Sequence, residues 1–247
     1  MDSIDQLNKK IQGCEKCRLH ETRENILFGE GDRDARVMLI AQAPGEKEDE
    51  VGRMFIGPSG EVLDGLLRYA GVSRGGIYMT NLTKCMLPDY RKPKRDEIDA
   101  CSEYLDEEIR LVGPDILVPL GYYATRYILN KYDFEFDGDF SEVIAELILV
   151  DDVKVYPLPH PASLLYDDKY EREMKEDYGK LKTFLHECRW YPVCPMKRYY
   201  EEGKIEKRWV ELYCKGDWNS CIRFQKEERG ESHPDNMLPD GHIEKGL

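Results

Sequence analysis

Residues able to do chemistry gather in a few short stretches of this chain. Gln42, Glu48 and Asp49 lie in "AQAPGEKED" (41–49), Phe55 in "GRMFIG" (52–57), Asn81 and Cys85 in "TNLTKCMLP" (80–88), and His160 with Ser163 in "HPASLL" (160–165). An amide offers a donor and an acceptor together, and an imidazole can donate to charge that develops during a reaction. Taken singly, each has an ordinary reading: an Asn capping a strand end, a His before Pro in a turn, an apolar pair in the core. Eight cysteines form two sets, Cys14, Cys17, Cys85 and Cys101 first, then Cys188, Cys194, Cys214 and Cys221. Under reducing conditions such sets bind metal or catalyse more often than they form disulfides. Four thiolates suit zinc as well as an iron–sulfur cluster, so spacing leaves the metal open.

The elements that must position these residues follow from hydrophobic pattern. "RVMLIAQ", "GIYMTNL", "DILVPLG" and "VKVYPLP" read as buried strands, and 58–71, 95–112, 122–131 and 168–187 as helices between and after them. This alternation predicts a three-layer α/β/α sandwich around a central, mostly parallel four-stranded sheet, with ligands bound at the carboxyl ends of the strands. The candidate loops all follow strand ends and so converge on one rim. Residues 132–152 read as a hairpin or an irregular excursion.

Composition bounds the function. With 247 residues, 41% of them hydrophobic, the chain is ordinary for a soluble protein with one sizeable domain and an appendage. Its apolar runs are too short to span a bilayer, and "MDSIDQLNKKIQGC" lacks a signal peptide's apolar segment, so a cytoplasmic location is expected. A net charge of −13 argues against non-specific polyanion binding. Residues 84–95, "KCMLPDYRKPKR", nonetheless hold five basic residues against one acid, either a solvated surface or a phosphate-facing strip.

Together, "AQAPGEKED", "GRMFIG", "TNLTKCMLP" and "HPASLL", in that order and with four cysteines interleaved, resemble the uracil-DNA glycosylase superfamily, specifically its iron–sulfur family 4, over roughly residues 10–187. The resemblance implies an enzyme that flips uracil out of DNA and hydrolyses the N-glycosidic bond, leaving an abasic site for base excision repair. It assigns Phe55 as stacking platform, Asn81 as reader of uracil O4 and N3–H, and His160 as donor to O2. Gln42 and Ala43 would supply backbone amides near O2, within a stretch continuing through Pro44 and Gly45. Glu48 would wall the pocket near C5. Pro161–Leu165, including Ser163 and Leu164, would probe the minor groove, Leu164 or Leu165 wedging into the gap. Cys14, Cys17, Cys85 and Cys101 would ligate a [4Fe–4S] cluster of structural role.

Two departures stand out: Gln42 replaces the family's usual Glu and Ala41 its usual Gly, and no carboxylate base stands at position 43. They keep two rivals in view, a glycosylase for hypoxanthine or xanthine and a catalytically weak uracil-DNA binding module. Uracil-containing DNA, single- or double-stranded, is the expected partner, and a monomer the expected state.

The resemblance stops near residue 187, which divides the chain into a glycosylase-like domain (1–187) and a small module rich in Cys and aromatics (188–247). The module holds eleven basic and eleven acidic residues, so the whole net charge belongs to the first part. A unit this small often needs a staple. Cys188, Cys194, Cys214 and Cys221 read either as a second metal or cluster site or as buried or free thiols, with His186 or His233 as a substitute ligand. Its aromatics read as core, or as a stacking surface for single-stranded DNA.

Overall fold

The computed structural model describes residues 3–247. A helix α1 (Ile4–Gln12), capped by Ser3 and Gln6 in a reciprocal capping box, precedes an edge strand β1 (Glu30–Gly31) and the central strand β2 (Val37–Ala41). A short helix α2 (Glu46–Val51) and α3 (Pro58–Ala70) lead into β3 (Tyr78–Asn81), then α4 (Arg95–Val112), β4 (Ile116–Pro119) and α5 (Tyr122–Lys131). A hairpin of β5 (Ile148–Val150) and β6 (Val153–Val155) follows, and α6 (Glu171–Gly179) and α7 (Leu181–Phe184) close the first part.

The sheet has six strands in the order β1-β3-β2-β4-β6-β5. Its inner four, β3, β2, β4 and β6, are parallel and coincide with the four apolar runs of the sequence. The expected four-stranded sheet is thus extended at both edges by short antiparallel strands. The edge strands β1 and β5, of two and three residues, leave too little alternation to be read. The 132–152 excursion supplies β5 and the turn of the β5–β6 hairpin: Val150 pairs with Val153 across Asp151 and Asp152, both at positive φ (45° and 68°), the twist a two-residue hairpin demands. The closing helix over 168–187 is instead a 3₁₀ turn followed by α6 and α7.

All five residues of β2 are buried, because both faces of the sheet are covered. Val37, Leu39 and Val118 face α3 and α6 through Leu63, Leu67, Met174 and Tyr178. Met38, Ile40 and Leu117 face the other side with Leu105, Ala124 and Ile128 of α4 and α5. No helix among the described residues is long and apolar enough to cross a membrane.

A charged knot lies in the second of these layers. Lys84, 1% exposed, donates from Nζ to Thr80 Oγ1 (2.6 Å), to the Asn81 carbonyl (3.0 Å) and to Glu108 Oε2. Glu108, fully buried on α4, also accepts from Thr80 Oγ1 (2.7 Å). Lys84 therefore does not belong to a phosphate-facing strip, contrary to one reading of its neighbourhood. Of the strip, Lys92, Lys94 and Arg95 are exposed, while Arg91 forms a bidentate pair with Glu97 (2.8 and 2.6 Å).

Residues 188–247 pack around their own apolar cluster of Tyr191, Met196, Tyr199, Val210 and Leu238. Their helices are short: α8 (Pro195–Glu201), α9 (Lys207–Trp209) running into a π-helical turn (Val210–Cys214), and α10 (Ile222–Glu228). Buried Lys154 on β6 reaches across to Glu211 Oε2 (3.1 Å) and the Lys215 carbonyl (2.9 Å), and Trp218 Nε1 donates to the Thr183 carbonyl (2.9 Å).

Removing one partner of a buried ion pair strands the other charge, which costs about 3–5 kcal/mol. Lys84→Ala is expected to lower stability by that order in denaturant unfolding, whereas Lys84→Met with Glu108→Leu is expected to recover most of the loss.

Candidate active site

Loops after the parallel strands enclose a pocket of about 230 Å³ lined by Ala43, Pro44, Gly45, Glu48, Met54, Phe55, Ser59, Asn81 and His160. The pocket lies at the carboxyl ends of the strands, as parallel α/β sheets require. Seven of the expected residues meet here.

Asn81 is the last residue of β3 and 3% exposed. Its backbone is fixed by register against Ala41 and by the Lys84 ammonium on its carbonyl. Its Nδ2 donates to Met54 Sδ (3.2 Å), a weak acceptor that helps orient the amide in the pocket wall.

Phe55 is 5% exposed, with its ring centroid 6.3 Å from that of His160 and the planes 32° apart. Its backbone is left-handed (φ 52°), a conformation that costs a non-glycine residue about 1–3 kcal/mol unless the surroundings enforce it. Arg74 supplies the enforcement. Its guanidinium donates to the carbonyls of Met54 (3.2 Å), Phe55 (2.7 Å) and Gly60 (3.3 Å) while pairing with Asp64 (2.6 Å). A Cβ at Gly60 would overlap the Phe55 carbonyl, so only glycine permits this approach.

Glu48 and Asp49 divide their labour. Glu48, 5% exposed, accepts from the Gly57 N–H (2.8 Å) and turns its carboxylate to the pocket wall, where a Cβ at Gly45 would lie 2.6 Å from Oε2. Asp49 faces away and ties down the 24–25 loop through the N–H groups of Glu24 (2.9 Å) and Asn25 (3.3 Å).

His160 stands just before a 3₁₀ turn (Pro161–Leu165), with Nδ1 accepting the Ala162 N–H at 3.2 Å. That bond leaves the proton of a neutral ring on Nε2. Burial lowers the imidazolium pKa to about 4, so at neutral pH the ring is an uncharged Nε2–H donor. Ser163 lies outside the pocket and fixes the residue from behind, its Oγ donating to the His160 carbonyl (2.8 Å).

Two more expected residues are placed elsewhere. Gln42 contributes backbone rather than side chain: its carbonyl accepts the Thr83 N–H (3.0 Å) and hydroxyl (3.2 Å), joining the first loop to the third. Leu164 packs partly buried against the core, whereas Leu165 is 47% exposed and the neighbouring Tyr166 89%. Sequence reasoning missed Met54, Ser59 and Arg74. Met54 and Ser59 flank residues already singled out, and only Arg74, far along the chain, carried no signal.

Cys14, Cys17, Cys85 and Cys101 line a second hollow, of about 310 Å³, with Arg23, Lys84 and Tyr104 on its walls. Lys84 N–H donates to Cys101 Sγ (3.2 Å) and Arg23 Nη1 to Cys85 Sγ (3.3 Å). Among the described residues no three His, Cys, Asp or Glu side chains converge as a single ion requires. Four free thiols spread around one hollow, with donors aimed at two sulfurs, fit a polynuclear cluster.

The model of the family described as the Uracil DNA glycosylase superfamily matches residues 28–182. The Type-4 uracil-DNA glycosylase of Sulfurisphaera tokodaii is 35% identical over 187 residues, covering 74% of this chain and 84% of that protein. That of Saccharolobus solfataricus is 36% identical over 190 residues, covering 75% and 88%. A Type-5 uracil-DNA glycosylase of Pyrobaculum aerophilum is 33% identical over 149 residues, covering 54% and 64%. All the pocket-lining residues lie inside the matched segment, and the chain belongs to the uracil-DNA glycosylase superfamily, with its type-4 members.

Proposed function

We propose that this chain excises uracil from DNA, hydrolysing the N-glycosidic bond to release free uracil and leave an abasic site. The observation that carries this reading is the meeting of Asn81, His160, Phe55 and Glu48 in one pocket at the strand ends. A base rotated out of the stack would lie against Phe55. The Asn81 amide would donate to O4 and accept from N3–H, a pattern cytosine reverses and would leave unpaired.

As the bond breaks, its electron pair moves onto the base and negative charge collects on O2. His160 Nε2–H would donate to that oxygen, strengthening as the charge grows. A neutral donor suits this role, since it stabilises the leaving anion and keeps its own proton. Water then adds to the sugar carbon, and its surplus proton balances the departing base. Glu48 would fill the space beside C5 and disfavour a methyl group there. Leu165, exposed on the turn that carries His160, is the better placed of the two leucines to enter the gap in the duplex.

Residues 3–187 form the catalytic unit in this reading, with 188–247 an attached module. Cys14, Cys17, Cys85 and Cys101 would hold a [4Fe–4S] cluster. When bound, it braces the N-terminal segment against α4 and the loop after Asn81.

Uracil release from a labelled oligonucleotide, read as alkali-sensitive scission, is expected for the wild type and to fall by about a hundredfold or more in His160→Ala and in Asn81→Ala. Absence of release by cluster-loaded, folded wild type would overturn the proposal. The His160 ring should titrate near 4 rather than at the ordinary histidine value near 6.5 when followed by NMR. Because its folded pKa is depressed, its contribution to stability is complete above about 6.5 and is lost as pH falls through about 4. Leu165→Ala is expected to slow excision from double-stranded DNA several-fold while leaving single-stranded DNA little affected, measured side by side.

A further inference from the structure

The four cysteines outside the family match are brought together by the fold. Cys188 follows α7, Cys194 precedes α8, Cys214 ends the π-helical turn and Cys221 precedes α10. All four line one hollow of about 550 Å³, and all are free thiols. Three are buried, and Cys194 stands half-buried at the rim. The Cys188 N–H donates to the Cys214 carbonyl (2.7 Å), fixing two of the positions against each other.

The walls hold one buried cation, and their one carboxylate, Glu227, lies 3.0 Å from His233 Nε2. Arg223 lines the hollow at 3% exposure, with no carboxylate in ion-pair range among the described residues. Its Nη1 is spent on the carbonyls of Pro234 (3.0 Å), Asp235 (2.9 Å) and Met237 (2.8 Å), and its buried Nε has no partner. A buried guanidinium without a counter-charge is costly. The first hollow also sets a guanidinium, that of Arg23, beside its cysteines. Trp190, Met196, Trp218 and Phe224 complete an apolar shell.

Spacing discriminates between metals. A zinc ion with Zn–S of about 2.3 Å draws four sulfurs to roughly 3.8 Å of one another. Among the described residues no three such ligands converge in that way. We infer that Cys188, Cys194, Cys214 and Cys221 hold a second [4Fe–4S] cluster, separate from that of the first cysteine set. Four thiolates around an oxidised [4Fe–4S] core leave a net charge of about −2, which supplies the counter-charge Arg223 lacks. The cluster also gives a segment of short helices the staple its small core requires.

The test is iron and acid-labile sulfide per chain in full-length protein, purified and reconstituted without oxygen, with Mössbauer spectra to identify cluster type. About eight iron and eight sulfide are expected for the wild type. The double variant Cys194→Ser, Cys221→Ser should fall to about four of each, and Cys85→Ser with Cys101→Ser should lose the other four. A wild type holding about four iron, all abolished by the second pair of substitutions, would overturn the inference, as would four iron plus one zinc. Should either variant misfold, the wild-type stoichiometry decides alone. The readout does not involve uracil release, so the two proposals can fail independently.

Discussion

The buried Lys84–Glu108 pair is the constraint on which the site depends. Lys84 lies three residues after Asn81 and one before Cys85, and its backbone N–H meets Cys101 on α4. Its ammonium holds the Asn81 carbonyl while its carboxylate partner sits deep in the same helix. One side chain thereby couples the end of β3, the helix behind it and the first cysteine hollow. A charge in that position cannot relax toward water, so the geometry it fixes is all-or-none rather than graded.

Around that fixed point, the pocket is assembled from loops that are each held by a different interaction. Arg74 pins the loop carrying Phe55 from the protein side. The Gly57 N–H holds Glu48, and the Ala162 N–H fixes the tautomer of His160. Backbone strain at Phe55 is thus enforced by a guanidinium that touches three carbonyls, which places rigidity where a flat ligand must be sandwiched.

Much of this was legible in the sequence. Four continuous apolar runs announced the parallel strands because both sheet faces are buried, and the loop motifs marked the rim because parallel strands all deliver their carboxyl ends to one side. What escaped notice has physical causes. Lys84 was grouped with its basic neighbours because residue type says nothing of burial, and only the distant Glu108 makes burial tolerable. The burial of Phe55 was not legible because its ring lies beside His160, more than a hundred residues on. Leu164 and Leu165 are indistinguishable in sequence; a single turn of 3₁₀ helix sends one to the core and the other outward. Strands of two or three residues exist only through their partners.

The seat of the C-terminal segment has a consequence for the sheet. β5 is the outer strand of the sheet, and the turn Val210–Cys214 lies beside it, secured by Lys154 of the adjoining strand. An uncovered outer strand presents unpaired amides and carbonyls as a template for another chain. The segment therefore stands where an open row of amides and carbonyls would otherwise face solvent, at the edge of the sheet.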